Sequence, residues 1–236
     1  MTSAAVNGTA AGSGGTRRII VMMGAPGAGK GTQAERLAEA LDLPHVSTGE
    51  LFRAMIRSDS ELGQKVHEHI DAGELVPDEI TVAMVADRLA EDDAADGVIL
   101  DGFPRTVAQA KALDKLLAKA DSCVSAVPYI EVRTELLLAR LTGRRICTVD
   151  DQHLYHVVTM PPKQDGVCDI DGAELYQRAD DSEETVRGRL DNQLPPMYEV
   201  VDYYAGNNVL FSVPGDQPPA EVTAELLRLI NARTSS

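Results

Sequence analysis

Cysteine is scarce, basic charge is outnumbered, and long apolar runs are missing. Three cysteines in 236 residues cannot build a disulfide framework. Twenty-two Lys and Arg face thirty-seven Asp and Glu, a net charge of −15. A polyanion such as DNA or RNA is therefore a poor general partner, and no nucleic acid is expected. The sixteen arginines and six lysines must be gathered locally if they are to hold anions. No apolar run reaches the roughly 18 residues that a membrane span needs, so no membrane partner is expected. No internal repeat is found. Residues 1–16, MTSAAVNGTAAGSGGT, are small, polar and glycine-rich, and read as a disordered tail. They also lack acidic residues, as transit peptides do. Their glycines oppose an amphipathic helix, however, and arginine enters only at Arg17 and Arg18.

What remains supports one large α/β domain over 17–236, with an apolar content of 44% for its core. Strand-like runs (Ile19 to Met23, Val98 to Leu100, Ser125 to Val132, Asn208 to Val213) alternate with segments of helical spacing. Alternation of this kind implies a doubly wound parallel sheet covered on both faces, with ligands at the carboxyl ends of its strands. Two segments break the pattern. One, 47–76, is rich in helix signals; the other, 143–181, is rich in turns and short alternating runs.

The densest signal is GAPGAGKGT, Gly24 to Thr32, between the first strand and the helical run that starts at Gln33. A glycine-rich turn there lets backbone N–H groups converge, and the helix N-terminus and Lys30 add positive charge. Such a nest suits a di- or triphosphate. Gly31 stands where a Walker A motif has Ser or Thr, so Thr32 is the candidate for the phosphate or the metal's water shell. The second signal is VILDGFPRT. Asp101 ends an apolar strand, where a carboxylate can hold Mg²⁺ through water, and Arg105 follows within a turn.

Taken in order, GAPGAGKGTQAERLAEAL, STGELFRAMI, DAGELVPDEI, ILDGFPRTVAQA, LTGRR and DDSEETVRGRL resemble the adenylate kinases, of the nucleoside monophosphate kinase family. The resemblance covers Arg18 to about Asn231. It implies a monomeric cytoplasmic P-loop enzyme for Mg·ATP + AMP ⇌ 2 ADP. It also implies a core with a helical AMP-binding insertion (47–76) and a small β-rich lid (143–181). Gly27, Ala28, Gly29, Lys30, Gly31 and Thr32 would then cradle the ATP phosphates. Thr48, Arg53, Glu74, Leu75, Val76, Gly102, Phe103, Pro104 and Arg105 would form the AMP site, with Gln109 reading the adenine edge. Arg140, Arg144, Arg178 and Arg189 would reach the phosphates on closure, the last two also counting in the AMP site. Leu154 and Tyr155 would lie near the ATP ribose and base, and Gln217 would meet the ATP adenine through its backbone carbonyl. Asp180 and Asp181 match the hinge carboxylates of the lid.

The chemistry agrees with this inventory. A phosphate acceptor is already anionic at neutral pH, so no general base is needed, and no Ser-His-Asp or Cys-His set is evident. Lysine, arginines and Mg²⁺ act by position and charge. The alternatives are a kinase for UMP or CMP, one with GTP as donor, or a regulator that binds nucleotide without catalysis. Thr48 and Gln109 favour AMP, and the full set of charged residues opposes the regulator. Within the lid, Cys147-x-x-Asp150 and Cys168-x-x-Asp171 resemble the two knuckles of zinc-bearing lids, with Asp151 or His153 able to stand in for Asp150. The other reading of that segment is a hydrogen-bonded lid without metal. Cys123 and His45 are expected to be packing residues.

Overall fold

The computed structural model describes residues 17–58 and 60–234, and the tail expected over 1–16 lies outside them. The first strand, β1 (Arg18–Gly24), is apolar at every inner position because both of its faces are covered. It leads through the glycine turn into α1 (Lys30–Leu41), which buries Ala34, Leu37 and Leu41. Then come β2 (His45–Ser47), α2 (Thr48–Arg57), α3 (Glu61–Asp71) and α4 (Asp78–Leu89). β3 (Gly97–Asp101), α5 (Val107–Ala118), β4 (Val124–Glu131) and α6 (Thr134–Thr142) restore the alternation. Three short strands follow: β5 (Arg144–Cys147), β6 (Leu154–His156) and β7 (Leu175–Tyr176). The chain closes with α7 (Glu183–Ala205), β8 (Leu210–Pro214) and α8 (Pro219–Thr234).

The main sheet has the order β2-β3-β1-β4-β8, with every pairing parallel. Its core is aliphatic: Ile19, Ile20, Val21, Val98, Ile99 and Leu100 are fully buried. Each such side chain contributes about 1.5–3 kcal/mol by leaving water. The expected doubly wound α/β architecture is therefore present. β5–β7 form a separate antiparallel sheet, β6-β5-β7, around Cys147, Tyr155, Cys168 and Leu175. Phe52, Val66 and Val76 make a third small cluster beneath α2 and α3.

α7 runs unbroken through Pro195 and Pro196. Those residues lack the N–H of a helical ladder. The helix is held instead by its buried stripe of Val186, Leu190, Met197, Val200 and Tyr204, and by Ser182, whose hydroxyl accepts from the Thr185 N–H. Among the described residues, no helix is long and apolar enough to cross a membrane.

Candidate active site

The turn after β1 is shaped by glycines with positive φ. Gly27 has φ 83°, and a Cβ there would stand 2.9 Å from Leu141 Cγ. Gly29, with φ 94°, is the N-cap of α1, so Lys30 is the first helical residue. Lys30 Nζ donates to the carbonyls of Gly24 (2.8 Å) and Ala25 (3.1 Å). Burial lowers the Lys30 ammonium to about 8, helped by Arg105, Arg189 and Arg144 and opposed by Asp101. Asp101, at the end of β3, faces the same point, its Oδ2 lying 3.5 Å from where a Cβ on Gly31 would sit. Burial alone would raise the Asp101 carboxyl, but His45 and Lys30 outweigh it and hold the group below the usual carboxylate range.

A cleft of about 410 Å³ opens above this nest. Arg53, Arg105, Arg140, Arg144, Arg178 and Arg189 all line it, six of the sixteen arginines in a chain of net charge −15. Burial lowers the pKa of Arg53, Arg105 and Arg189, yet a guanidinium stays cationic at neutral pH. Their partners are as follows. Arg105 Nε donates to the Gly102 carbonyl (2.8 Å), and its Nη1 donates to Gln193 Oε1 (3.1 Å). Arg144 grips Asp181 with two bonds, 2.8 and 2.6 Å. Arg189 Nη1 donates to Asp180 Oδ2 (2.9 Å), and Arg140 Nη2 donates to the Gly215 carbonyl (2.9 Å). Arg53 and Arg178 share only distant ion pairs with Asp151, 3.8 and 3.9 Å. The Nε of Arg178 is buried with no partner among the described residues, a donor left for an anion.

The other expected site residues divide. Gly27, Gly29, Gly31, Thr32, Glu74, Leu75, Val76, Gly102, Gln109, Leu154 and Tyr155 line the cleft. Thr48 does not: it is fully buried and its hydroxyl donates to the Gly102 carbonyl (3.0 Å), bracing the loop from behind. Ala28 and Phe103 are likewise buried behind the cleft, and Pro104 borders a smaller cavity beside Met23 and Met197. Gln217 is exposed and outside the lining. His45, expected to be packing, lines the cleft with Nε2 3.6 Å from Asp101 Oδ2, and Cys123 is exposed rather than packed. Glu35, Glu50, Asp151 and Gln193 also line the cleft, unforeseen in the sequence. Gln193 is buried by α7, and its Nε2 donates to the Gly73 carbonyl (3.1 Å), which joins Arg105 to the backbone after α3.

In the small sheet, four ligand atoms lie within 4.8 Å of one another, from Cys147, His153, Cys168 and Asp171. Of the residues expected at the second place, His153 is the one brought to the group, and Asp150 lies outside it. The Cys147 N–H donates to the His153 carbonyl (3.1 Å) as β5 meets the return of the chain, which carries the His153 ring back over the thiol. Asp150 instead folds onto its own turn, accepting from the Gln152 N–H (2.9 Å), with its other oxygen 3.4 Å from His153 Nε2. Cys147 Sγ lies 3.2 Å from Asp171 Oδ2, His153 Nδ1 3.0 Å from that oxygen, and Cys168 Sγ 3.5 Å from His153 Nδ1. Bonds of 2.0–2.3 Å to a tetrahedral metal would place ligand atoms about 3.3–3.8 Å apart, so two thiols, an imidazole and a carboxylate fit a zinc ion with small adjustment.

A nest for one chain of phosphates and a ring of arginines for a second anion suit the passing of a phosphoryl group between the two. By class the chain is a P-loop phosphotransferase. A sequence model of the adenylate kinase family matches residues 22–209. An adenylate kinase of Exiguobacterium sibiricum is 49% identical over 214 residues, 91% of this chain and 99% of that protein. One from Streptomyces coelicolor is 48% identical over 89% of this chain and 97% of its own, and one from Staphylococcus aureus 46% over 90% and 98%. The chain belongs to the adenylate kinase family.

Proposed function

We infer that the cleft carries out the family's reaction, the reversible transfer of the terminal phosphoryl group of Mg·ATP to AMP, giving two ADP. The carrying observation is Lys30 at the mouth of the glycine nest, facing Asp101, with six arginines around one cleft. In this reading the N–H groups of Gly27 to Thr32 hold the donor phosphates and Lys30 tracks the transferring group. Arg140 and Arg144 serve the donor side, Arg53 and Arg105 the AMP phosphate, and Arg178 and Arg189 both. Leu154 and Tyr155 flank the donor nucleoside, and Leu75, Val76 and Gln109 surround the acceptor base. Thr48 acts through Gly102. Magnesium supplies charge neutralisation of the phosphates, and Asp101, with Thr32 beside it, would hold it through water. Nothing in the site has to remove a proton, because the attacking phosphate oxygen is already an anion.

Water would turn this site into an ATPase, so closure belongs to the mechanism. The segments 47–76 and 143–181 are proposed to move as an AMP-binding insertion and a lid. Their separate apolar clusters support this, as does the Arg53–Asp151 pair that reaches between them. The quartet Cys147, His153, Cys168 and Asp171 is proposed to hold a structural zinc ion, which staples a lid too small to build much core. Asp150, on the far nitrogen of His153, then keeps Nδ1 turned to the metal. A cleft completed by residues of one chain supports a monomer, and nucleotide substrates support a cytoplasmic setting.

The test is Lys30→Met. Loss of one preorganised cation at the transferring group costs about 10²–10³ in turnover. Activity within about threefold of the parent, in a protein that melts normally, removes Lys30 from this role.

A further inference from the structure

We propose that Asp78 decides which purine the acceptor site takes. It fixes the amide of Gln109 in the orientation that reads a 6-aminopurine and rejects a 6-oxopurine. The inference rests on the placement of Gln109 at the acceptor base.

Asp78 opens α4 and is half-buried. Both of its oxygens accept from Thr106 Oγ1, at 3.2 and 3.0 Å, and Oδ1 also accepts from Gln109 Nε2 at 2.7 Å. At the other end of the same amide, Gln109 Oε1 accepts from the Arg105 N–H at 2.7 Å. An ionised carboxylate can only accept and a backbone N–H can only donate, so together they fix which end of the amide is which. The amino group points to Asp78 and the carbonyl to Arg105. A flipped amide would set oxygen against carboxylate and NH₂ against N–H. Gln109 is 1% exposed, so neither misfit could be relieved by water.

Among the described residues, two bonding positions on this amide have no partner, one N–H and one carbonyl lone pair. Gln109 lines the cleft, as Val76 and Thr81 do, and with Gln109 placed at the acceptor base that free edge serves the acceptor side. A 6-aminopurine offers an amino donor next to the N1 acceptor, which complements a lone pair next to an N–H. A 6-oxopurine offers O6 and N1–H, which meets oxygen with oxygen and N–H with N–H. A freely turning amide would serve both purines, and the anchored one serves only the first. Asp78 is thus a positioning residue that acts through Gln109.

The experiment measures kcat/KM for AMP and for IMP at saturating Mg·ATP, in the parent, in Asp78→Asn and in Gln109→Ala. Asparagine can accept from or donate to the Gln109 amide, while the Arg105 N–H still resists the flip. The AMP-to-IMP ratio should therefore fall by about tenfold in Asp78→Asn, the low end for one charge-assisted hydrogen bond, with the KM for ATP within about twofold of the parent. A ratio within about twofold of the parent overturns the proposal. If Gln109→Ala collapses the ratio and Asp78→Asn leaves it, only the role of Asp78 falls. If Gln109→Ala also leaves it, the placement of Gln109 at the acceptor base falls with it. A readout in the parent keeps the proposal testable should Asp78→Asn not fold. In ¹⁵N spectra the side-chain amide protons of Gln109 should exchange with water far more slowly than those of exposed Gln217. Equal exchange overturns the anchoring.

Discussion

Replacing Asp181 with asparagine should cost the protein about 3 kcal/mol. Asp181 is fully buried, and its two oxygens take the paired bonds of Arg144 at 2.8 and 2.6 Å, with Arg189 Nη1 3.7 Å away. Asparagine keeps the shape, so no cavity opens. What changes is chemical: one oxygen becomes an NH₂ that faces guanidinium N–H groups, and the charge that balances Arg144 is gone. Breaking a buried pair by removing one partner costs about 3–5 kcal/mol. The Arg144 side chain keeps 25% exposure, which allows water to recover part of the loss and points to the lower end. For a chain of this size each kcal/mol moves the melting temperature by about 2–4 °C, so the variant should melt roughly 6–12 °C lower. The assay is thermal unfolding by circular dichroism at fixed pH and salt, with and without Mg·ATP. A triphosphate brings negative charge to the arginine from which it was removed, so saturating Mg·ATP should raise the melting temperature more in Asp181→Asn than in the parent. A melting temperature within about 2 °C of the parent, or an equal ligand-induced rise, refutes the reasoning.

Two further outcomes follow from the site. The free-enzyme kcat/KM for Mg·ATP should fall as pH rises through about 8, because burial among Arg105, Arg189 and Arg144 makes Lys30 lose its proton there; a profile flat to pH 10 contradicts this. Protein purified without a histidine tag should carry about one zinc per chain, and His153→Ala should lose it and melt lower. Zinc that survives His153→Ala and disappears in Asp150→Ala would return Asp150 to the quartet.

Much of this was legible in sequence because it is contiguous. The glycine nest and Lys30 fall within nine residues, and Asp101 closes an apolar run that reads as a buried strand and is one. β2 escaped notice because three residues, His45–Ser47, cannot display a period of two. α7 was obscured by Pro195 and Pro196, whose local cost is overridden by the buried stripe on either side. The metal quartet turned on a turn: spacing alone favoured Asp150 in the Cys-x-x-ligand pattern, whereas the return of the chain brings in His153. Gln193 carried no local signal, and Asp78, although it lies within DAGELVPDEI, carried none that tied it to Gln109. Each reaches its partner only through tertiary packing, Gln193 across to Gly73 and Asp78 across to Gln109.

The central claim is that this cleft moves a phosphoryl group from ATP to AMP. The most direct measurement is ³¹P NMR of purified protein with Mg·ATP and, in separate reactions, AMP, CMP, UMP and GMP. The account requires two ADP for each AMP consumed, dependence on Mg²⁺, and far slower transfer to the other three monophosphates. Transfer to CMP or UMP at a rate matching that to AMP, or ATP loss that yields inorganic phosphate and leaves AMP intact, would contradict it.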